Sequence, residues 1–335
     1  MYKKVVDGKM VMVVWHVDDG LLAASRGWIE RILKELNSGE LEVVDLGEPT
    51  SLLNCRIERN REEGWIKMSQ PGYIDAVIKR FGLEDADAAK APMAGYLLLP
   101  AGENDERVDK NAYLEAVGSL NWCAVATRPE IAFAVSHLAS FSADPARRHL
   151  NATRTVARYL KGTRNMGITY GKGGRPLRGW SDADWANDTR DRKSITGWAF
   201  SFAGGLIAWK SQKQHSVVRS SMEAEFIAVN EAVAIAVWLH RLLSEIATVL
   251  PITIAPIPIG LDNASAEAFI KRPWATQRSK YIDTRGHFVR NMAEEGYVLI
   301  HHVSGTENPV DVFTKPLGPQ KHAVALRLLN LHSHY

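Results

Sequence analysis

Leu177-Arg178-Gly179-Trp180-Ser181-Asp182-Ala183-Asp184-Trp185 reads as a strand that ends in carboxylates, and the segments after it decide the fold class. Residues 194–203 form a second expected strand, where Trp198, Phe200 and Phe202 alternate with smaller residues as on a half-buried surface. A Gly204-Gly205 turn leads to a third strand at 206–211. The pattern then predicts a long helix over 221–246, a strand over 256–262 and a short helix over 264–270. A helix over 282–294, a strand over 297–303 and a final helix opened by Pro309 complete it. Three strands followed by alternating helices and strands make an α/β (α+β) layer and exclude a helical bundle.

Four acidic residues fall at the ends of these elements. Asp182 lies on the first strand, Glu225 in the first turn of the long helix, Asp262 at the end of the fourth strand and Asp311 in the first turn of the last helix. Each has an ordinary alternative: Asp262-Asn263 would cap a helix, and Asp311 would suit the positive end of a helix dipole. Ser220-Ser221-Met222-Glu223 fits a capping box, in which Glu223 accepts the Ser220 N–H. Glu225, about 200° further round the helix, points elsewhere. Four gathered carboxylates repel one another and become tolerable with hard cations, for which two Mg²⁺ or Mn²⁺ ions are the usual solution. Such a pair activates water and stabilises the leaving oxygen in phosphodiester hydrolysis.

The motifs Trp180-Ser181-Asp182-Ala183-Asp184-Trp185, Arg192-Lys193-Ser194-Ile195-Thr196-Gly197, Trp209-Lys210-Ser211-Gln212-Lys213-Gln214 and Ser220-Ser221-Met222-Glu223-Ala224-Glu225 occur in that order. Asp262-Asn263, Lys280-Tyr281-Ile282-Asp283-Thr284-Arg285 with His287-Phe288, and Asp311-Val312-Phe313-Thr314-Lys315-Pro316-Leu317 follow them. Together, over 175–318, they resemble the RNase H domain of copia-type retrotransposons. The resemblance implies an RNase H-like mixed five-stranded sheet with flanking helices, and Asp182, Glu225, Asp262 and Asp311 as metal-binding, catalytic carboxylates. The choice of Asp182 over Asp184 rests on the family pattern alone. His287 is kept in that pattern without an assignable role. His301 and His302 alternate along one strand, so they do not chelate one metal together.

The first part resembles the end of a copia-type reverse transcriptase. His16-Val17-Asp18-Asp19 stands where the family has Tyr-Val-Asp-Asp, the palm hairpin with two metal-binding aspartates. From the residues alone, 10–22 is a hairpin with a Gly-containing turn at Asp18-Asp19-Gly20. The match continues in Asp45-Leu46-Gly47-Glu48, Ser69-Gln70-Pro71-Gly72-Tyr73-Ile74, Ala91-Pro92-Met93, Tyr113-Leu114-Glu115-Ala116-Val117-Gly118-Ser119-Leu120 and Thr127-Arg128-Pro129-Glu130-Ile131. His16 replaces the family's Tyr, and Asn54 stands where Gly is usual. The expected organisation is a truncated palm over 1–95, a helical thumb or connection over 96–172, the RNase H-like domain over 175–318 and a tail over 319–335. The fingers and a third palm aspartate would precede residue 1, so Asp18 and Asp19 are expected to be a remnant site that does not polymerise DNA.

Helices are expected over 28–36, 74–81 (ended by Gly82), 113–125 and 129–141. A further helix has Asp144 as N-cap, Pro145 at its first position and Gly162 at its end. On it Leu150, Thr153, Val156 and Leu160 share one face, and Arg147, Arg154, Arg158 and Lys161 another. The chain has 335 residues and a net charge of only +3, which by itself argues against a polyanionic partner. The charge is segregated, however. Residues 146–178 hold nine basic and no acidic side chains, and a second run comprises Lys271, Arg272, Arg278, Lys280, Arg285 and Arg290. Such runs are either solvated helix faces or phosphate grips, and Arg147, Arg154, Arg158, Lys161, Arg278, Lys280 and Arg285 are the candidates. The partner implied is an RNA–DNA hybrid or another nucleic acid, read by shape and the 2′-OH. A second possibility is a degenerate or co-opted element that binds nucleic acid without cutting it. The strongest apolar run, 232–239, is far shorter than the roughly 20 residues of a bilayer span. Two cysteines and no secretory leader point to a reducing, intracellular setting, cytoplasm or nucleus.

Overall fold

The computed structural model describes residues 2–331 except 7, 40–41, 94, 172–174, 187, 189–190, 248–254 and 272–282. The N-terminal strands β1 (Tyr2–Val6), β2 (Lys9–His16) and β3 (Asp19–Ala23) form an antiparallel meander, followed by helix α1 (Arg26–Asn37). His16 pairs with Asp19, so the turn is Val17-Asp18, with Val17 in the left-handed region at φ +52°. The expected glycine turn is therefore corrected. Gly20 lies in β3 opposite Trp15, where a Cβ would come within 2.8 Å of the indole, so it answers to packing rather than to turn geometry.

Next come β4 (Ser51–Leu52), β5 (Cys55–Asn60) and β6 (Trp65–Ser69), then helices α2 (Pro71–Arg80), α3 (Lys110–Ala126), α4 (Ala132–Ala139) and α5 (Arg147–Gly162), and strand β7 (Gly167–Gly171). Pro71 supplies the preset φ of a first helical position, which starts α2 three residues before the apolar pattern does. The apolar faces of α2 to α5 meet in one core, with Ile74, Tyr113, Leu120, Leu138, Val156 and Leu160 buried. Arg128 and Glu130, both fully buried, form an ion pair of 2.7 Å beside this core, and Arg128 Nη1 also donates to the Thr163 carbonyl at 3.1 Å. Tyr159 Oη lies 3.4 Å from Glu130 Oε1, while Glu130 Oε2 has no partner, so the pair leans on the Arg128 side for its further bonds.

The start of α5 differs from expectation. Asp144 does not cap it; Asp144 pairs with Arg107 at 2.6 Å, and the helix opens at Arg147, where the Ala146 N–H donates to His149 Nδ1 at 3.0 Å.

The second half contains β8 (Arg178–Asp184), β9 (Ile195–Phe202), β10 (Gly205–Lys213), α6 (Ser221–Ala247), β11 (Ile257–Leu261), α7 (Ala264–Lys271), α8 (Asp283–Glu294), β12 (Val298–His302) and α9 (Pro319–Leu328). Its sheet has the order β10-β9-β8-β11-β12, antiparallel through β8 and parallel from β8 to β12. Residues 196–201 of β9 are buried on both faces, so the half-buried expectation is corrected. Trp198 and Phe200 pack with α6, while Ala199 lies in a cluster with Leu206, Val310 and Phe313. Helix α6 is long and apolar enough, by length and composition, to cross a membrane, which the 232–239 run alone did not suggest. Here its Phe226, Val229, Ala232, Val233 and Ala236 are buried in the core beside Phe200 and Ile259.

The two halves share a seam. β7 pairs with β6 of the first half, while Tyr170 Oη donates to the Leu206 carbonyl at 2.8 Å and Trp209 Nε1 to the Ala124 carbonyl at 2.9 Å. The segment expected to be a tail is also corrected. Ala325, Leu329 and Leu331 are buried with Phe313 and Leu206, and the His322 ring meets Tyr159 edge-on at 5.3 Å.

Candidate active site

Three carboxylates converge at one end of the five-stranded sheet. β8 and β11 run parallel with Gly260 level with Trp180, so two residues further on Asp262 comes level with Asp182. The first turn of α6 brings Glu225 against them. Ligand oxygens of Asp182, Glu225 and Asp262 all lie within 4.8 Å of one another, and Asp182 is 1% and Glu225 7% exposed. One Glu225 oxygen accepts the Ala183 N–H, whereas Oε2 is buried without a partner. Glu223 plays the expected capping part, although its carboxylate accepts the Arg219 N–H at 2.9 Å rather than that of Ser220.

Asp311 arrives by a different element from the one expected. It sits on a 3₁₀ turn, Pro309–Phe313, ahead of α9. Asn308 pins that turn to β8 by donating from Nδ2 to the Ser181 carbonyl at 3.2 Å. Asp311 is not one of the three mutually close carboxylates but is tied to them by Lys315, whose Nζ lies 2.5 Å from Asp311 Oδ1 and 3.4 Å from Asp182 Oδ2. The Thr314 hydroxyl donates to the same Asp182 oxygen. β9 makes room for this segment at Gly197, which pairs with Asp182 and whose Cβ would lie 2.6 Å from Thr314 Cγ2 and 2.9 Å from Phe313 Cβ.

The electrostatics are those of crowded acids. Burial, reinforced by Asp311 and Asp262, pushes Asp182 up to about 6 against the pull of Lys315 and Thr314. Burial, then Asp182 and Asp262, pushes Glu225 up to about 9. Asp262 is also raised, by burial and Asp311. Lys315 stays charged above its ordinary range, because Asp182, Asp311 and Asp262 outweigh its burial. An all-oxygen donor set with one buried, unsatisfied oxygen fits a hard divalent cation held by Asp182, Glu225 and Asp262.

Other expected site residues fare differently. Asp18 and Asp19 are exposed at the tip of the β2–β3 hairpin, and the group already described is the one set of clustered ligands found among the described residues. The α5 cations all have partners within the fold. Arg147 pairs with Glu106, Arg154 donates to the Phe81 carbonyl at 2.9 Å, Arg158 to that of Asp87 at 2.5 Å, and Lys161 to those of Leu83 and Ala86 at 3.2 and 2.8 Å. Arg278 and Lys280 lie outside the described residues, as does the Arg285 side chain. His287 is exposed on α8. His302 Nε2 is 3.1 Å from the Asp262 backbone carbonyl, not from its carboxylate. Lys315, Thr314 and Gly197 were not singled out from the sequence. The available signal for Lys315 was its place four residues after Asp311, within reach on a helical turn.

A five-stranded sheet whose outer strand and two successors are antiparallel, then parallel, with acids at the ends of the central parallel pair and a long helix across it, defines an RNase H-like fold. No protein-family model matches the chain. It is 33% identical over 339 residues to the retrovirus-related Pol polyprotein from transposon TNT 1-94 of Nicotiana tabacum, covering 99% of this chain and 25% of that protein. It is 34% identical over 309 residues to that from transposon RE1 of Arabidopsis thaliana, covering 92% of this chain and 21% of that protein. The chain belongs to the family of copia-type retrotransposon Pol polyproteins, and spans about a quarter or less of the length of these two relatives. Among solved structures, an RNase H1 from Halobacterium salinarum NRC-1 matches 41% of this chain and 93% of its own, with 14% identity and a TM-score of 0.30.

Proposed function

We propose that this chain is a divalent-metal-dependent ribonuclease H that cuts the RNA strand of RNA–DNA hybrids in the cytoplasm or nucleus. The observation that carries the reading is the convergence of Asp182, Glu225 and Asp262 within 4.8 Å, with Glu225 Oε2 left unsatisfied in a buried position. Isolated buried carboxylates are costly, and a fold that assembles several from distant elements without pairing all of them has a use for a cation there. Asp182, Glu225, Asp262 and, from the far side of Lys315, Asp311 would hold two Mg²⁺ or Mn²⁺ ions. Two such ions supply an activated water and stabilisation of the leaving oxygen.

The chain's own residues set the geometry for that chemistry. Thr314 and the Gly197 notch fix the Asp182 carboxylate, and the Ala183 N–H holds one Glu225 oxygen while Oε2 is left without a donor. Substrate contact would come from the two basic runs, Arg147, Arg154, Arg158 and Lys161 on α5 and Arg278, Lys280 and Arg285 in the second. Cleavage of a labelled RNA–DNA hybrid with Mg²⁺ or Mn²⁺ tests the reading. The wild-type chain should cut the RNA strand, and Asp182→Asn should lose at least ~100-fold in rate, as expected when a metal ligand is removed. Intact hybrid binding with no cutting by the wild type would instead make the chain a nucleic-acid binder.

A further inference from the structure

Lys315 lies between Asp182 of the three-acid cluster and Asp311 outside it. Its ammonium is 2.5 Å from Asp311 and 3.4 Å from Asp182, and its side chain is 34% exposed, so it has a route to solvent. The backbone places it there firmly. Lys315 N–H donates to the Asp311 carbonyl at 2.9 Å, the Thr314 hydroxyl grips Asp182, and Asn308 holds the preceding turn against β8. Asp182, Glu225 and Asp262 meet without any lysine or arginine paired to Glu225 or Asp262 among the described ion pairs. The cluster therefore has two unlike sides. On one side Glu225 Oε2 has no donor and no ammonium makes an ion pair with Glu225 or Asp262; on the other the ammonium already bridges Asp182 and Asp311.

We propose that Lys315 is a built-in counter-cation that makes the two ion positions unequal. The Asp182–Glu225–Asp262 side takes a divalent ion directly, and the Asp182–Asp311 side takes one only when the ammonium swings out. Charge supports this ordering. Four ionised carboxylates are neutralised by two divalent cations, and an ammonium held among them in addition would overcharge the cluster, with like charges in direct contact. A lysine suits the part better than an arginine would. Its charge is compact, its four-carbon stem is flexible, and it makes no bidentate fork that would lock it to one carboxylate. Occupancy of the second position, and with it cleavage if the nuclease reading holds, would then need a higher divalent-ion concentration than the first. The inference rests on the reading of the cluster as a metal site.

The test is direct ion binding, with Mn²⁺ alone as the probe, followed by calorimetry and by the spin-resonance signal of free Mn²⁺. Lys315→Met keeps the apolar length of the stem and removes the charge. The wild type should bind one Mn²⁺ tightly and a second at least ten-fold more weakly. In Lys315→Met the second should tighten by about ten-fold, while the first changes by less than two- to three-fold. Thermal melts in chelator provide the companion measurement. Lys315→Met should melt lower than wild type without metal, and Mn²⁺ should bring the two together. A purely structural lysine would leave a deficit that Mn²⁺ does not repair, which overturns the proposal. Two unequal sites unchanged by the substitution would also overturn it, while leaving the metal-site reading intact. No Mn²⁺ binding by either protein would overturn both.

Discussion

Glu225 is an acid held where ionisation is least favourable: buried, beside two other carboxylates, with one oxygen lacking any donor. Its shift has a consequence for the ion-free protein. In the folded chain its pKa is raised from 4.5 to about 9, so between those values the folded state keeps a proton that the unfolded state has lost. The unfolded state thus binds fewer protons, and stability falls as pH rises through this window. Asp182, raised from 3.8 to about 6, adds the same sign at the acid end. The groups facing them are Asp262 from the end of β11 and Asp311 and Lys315 from the segment before α9. Lys315 remains protonated across the range and does not reverse the slope. In chelator the protein should therefore lose on the order of 1 kcal/mol per pH unit between pH 5 and pH 8. Glu225→Gln should flatten most of that slope and raise the melting temperature at pH 8, while weakening Mn²⁺ binding. Urea melts at several pH values, with and without Mn²⁺, measure this; a wild-type slope equal to that of Glu225→Gln would refute the account.

At the scale of elements, the site depends on how closely β9 lets the 308–315 segment approach β8. Gly197 sets that distance, since any side chain there meets Phe313 and Thr314. Gly197→Ala should push the segment outward, lengthening the Thr314 and Lys315 contacts to Asp182 and costing about 1–3 kcal/mol of stability from overpacking. Hybrid cleavage should fall further than the stability loss explains, at least ~10-fold under conditions where the variant is fully folded by circular dichroism. A variant of reduced stability but unchanged rate per folded molecule would show that the notch serves packing alone. The elements themselves were legible where periodicity is strong. Alternation at Trp198 and Phe200 and the apolar run of α6 mark a strand and a helix, and the carboxylates at element ends follow from strand and helix order. Less local features were not legible. The partners of Arg154, Arg158 and Lys161 are backbone carbonyls of residues 81–87, an aperiodic segment no pattern places beside α5. Lys315 was hidden in the same way, since its role depends on Asp182, which is 133 residues distant in sequence.

For the molecule as a whole, the expected boundary between residues 172 and 175 is a poor guide to mechanical independence. The face of the five-stranded sheet opposite α6 is covered partly by the first half and partly by the C-terminal segment. Ile168, Tyr170 and Ala132 pack there together with Leu206, Trp209 and Phe313, and Ala325, Leu329 and Leu331 close the remainder. α9 also reaches the first half, through Leu326 and the His322–Tyr159 contact. A fragment of residues 175–318 would expose all of this surface. Burying a Leu- or Phe-sized side chain contributes about 1.5–3 kcal/mol, and a domain's whole stability is only about 5–15 kcal/mol, so uncovering several such side chains is close to the limit of what the fold tolerates. The 175–318 fragment should therefore bind a hydrophobic dye and melt non-cooperatively or at much lower temperature than the full chain. Extending it to 331 should recover part of the loss, because Leu329 and Leu331 return but β7 and α4 do not. The full chain should show one dominant transition reported alike by tryptophan fluorescence and by far-ultraviolet dichroism. Equal melting temperatures for 175–318, 175–331 and the full chain would mean that the seam contacts contribute little and that the two halves fold independently.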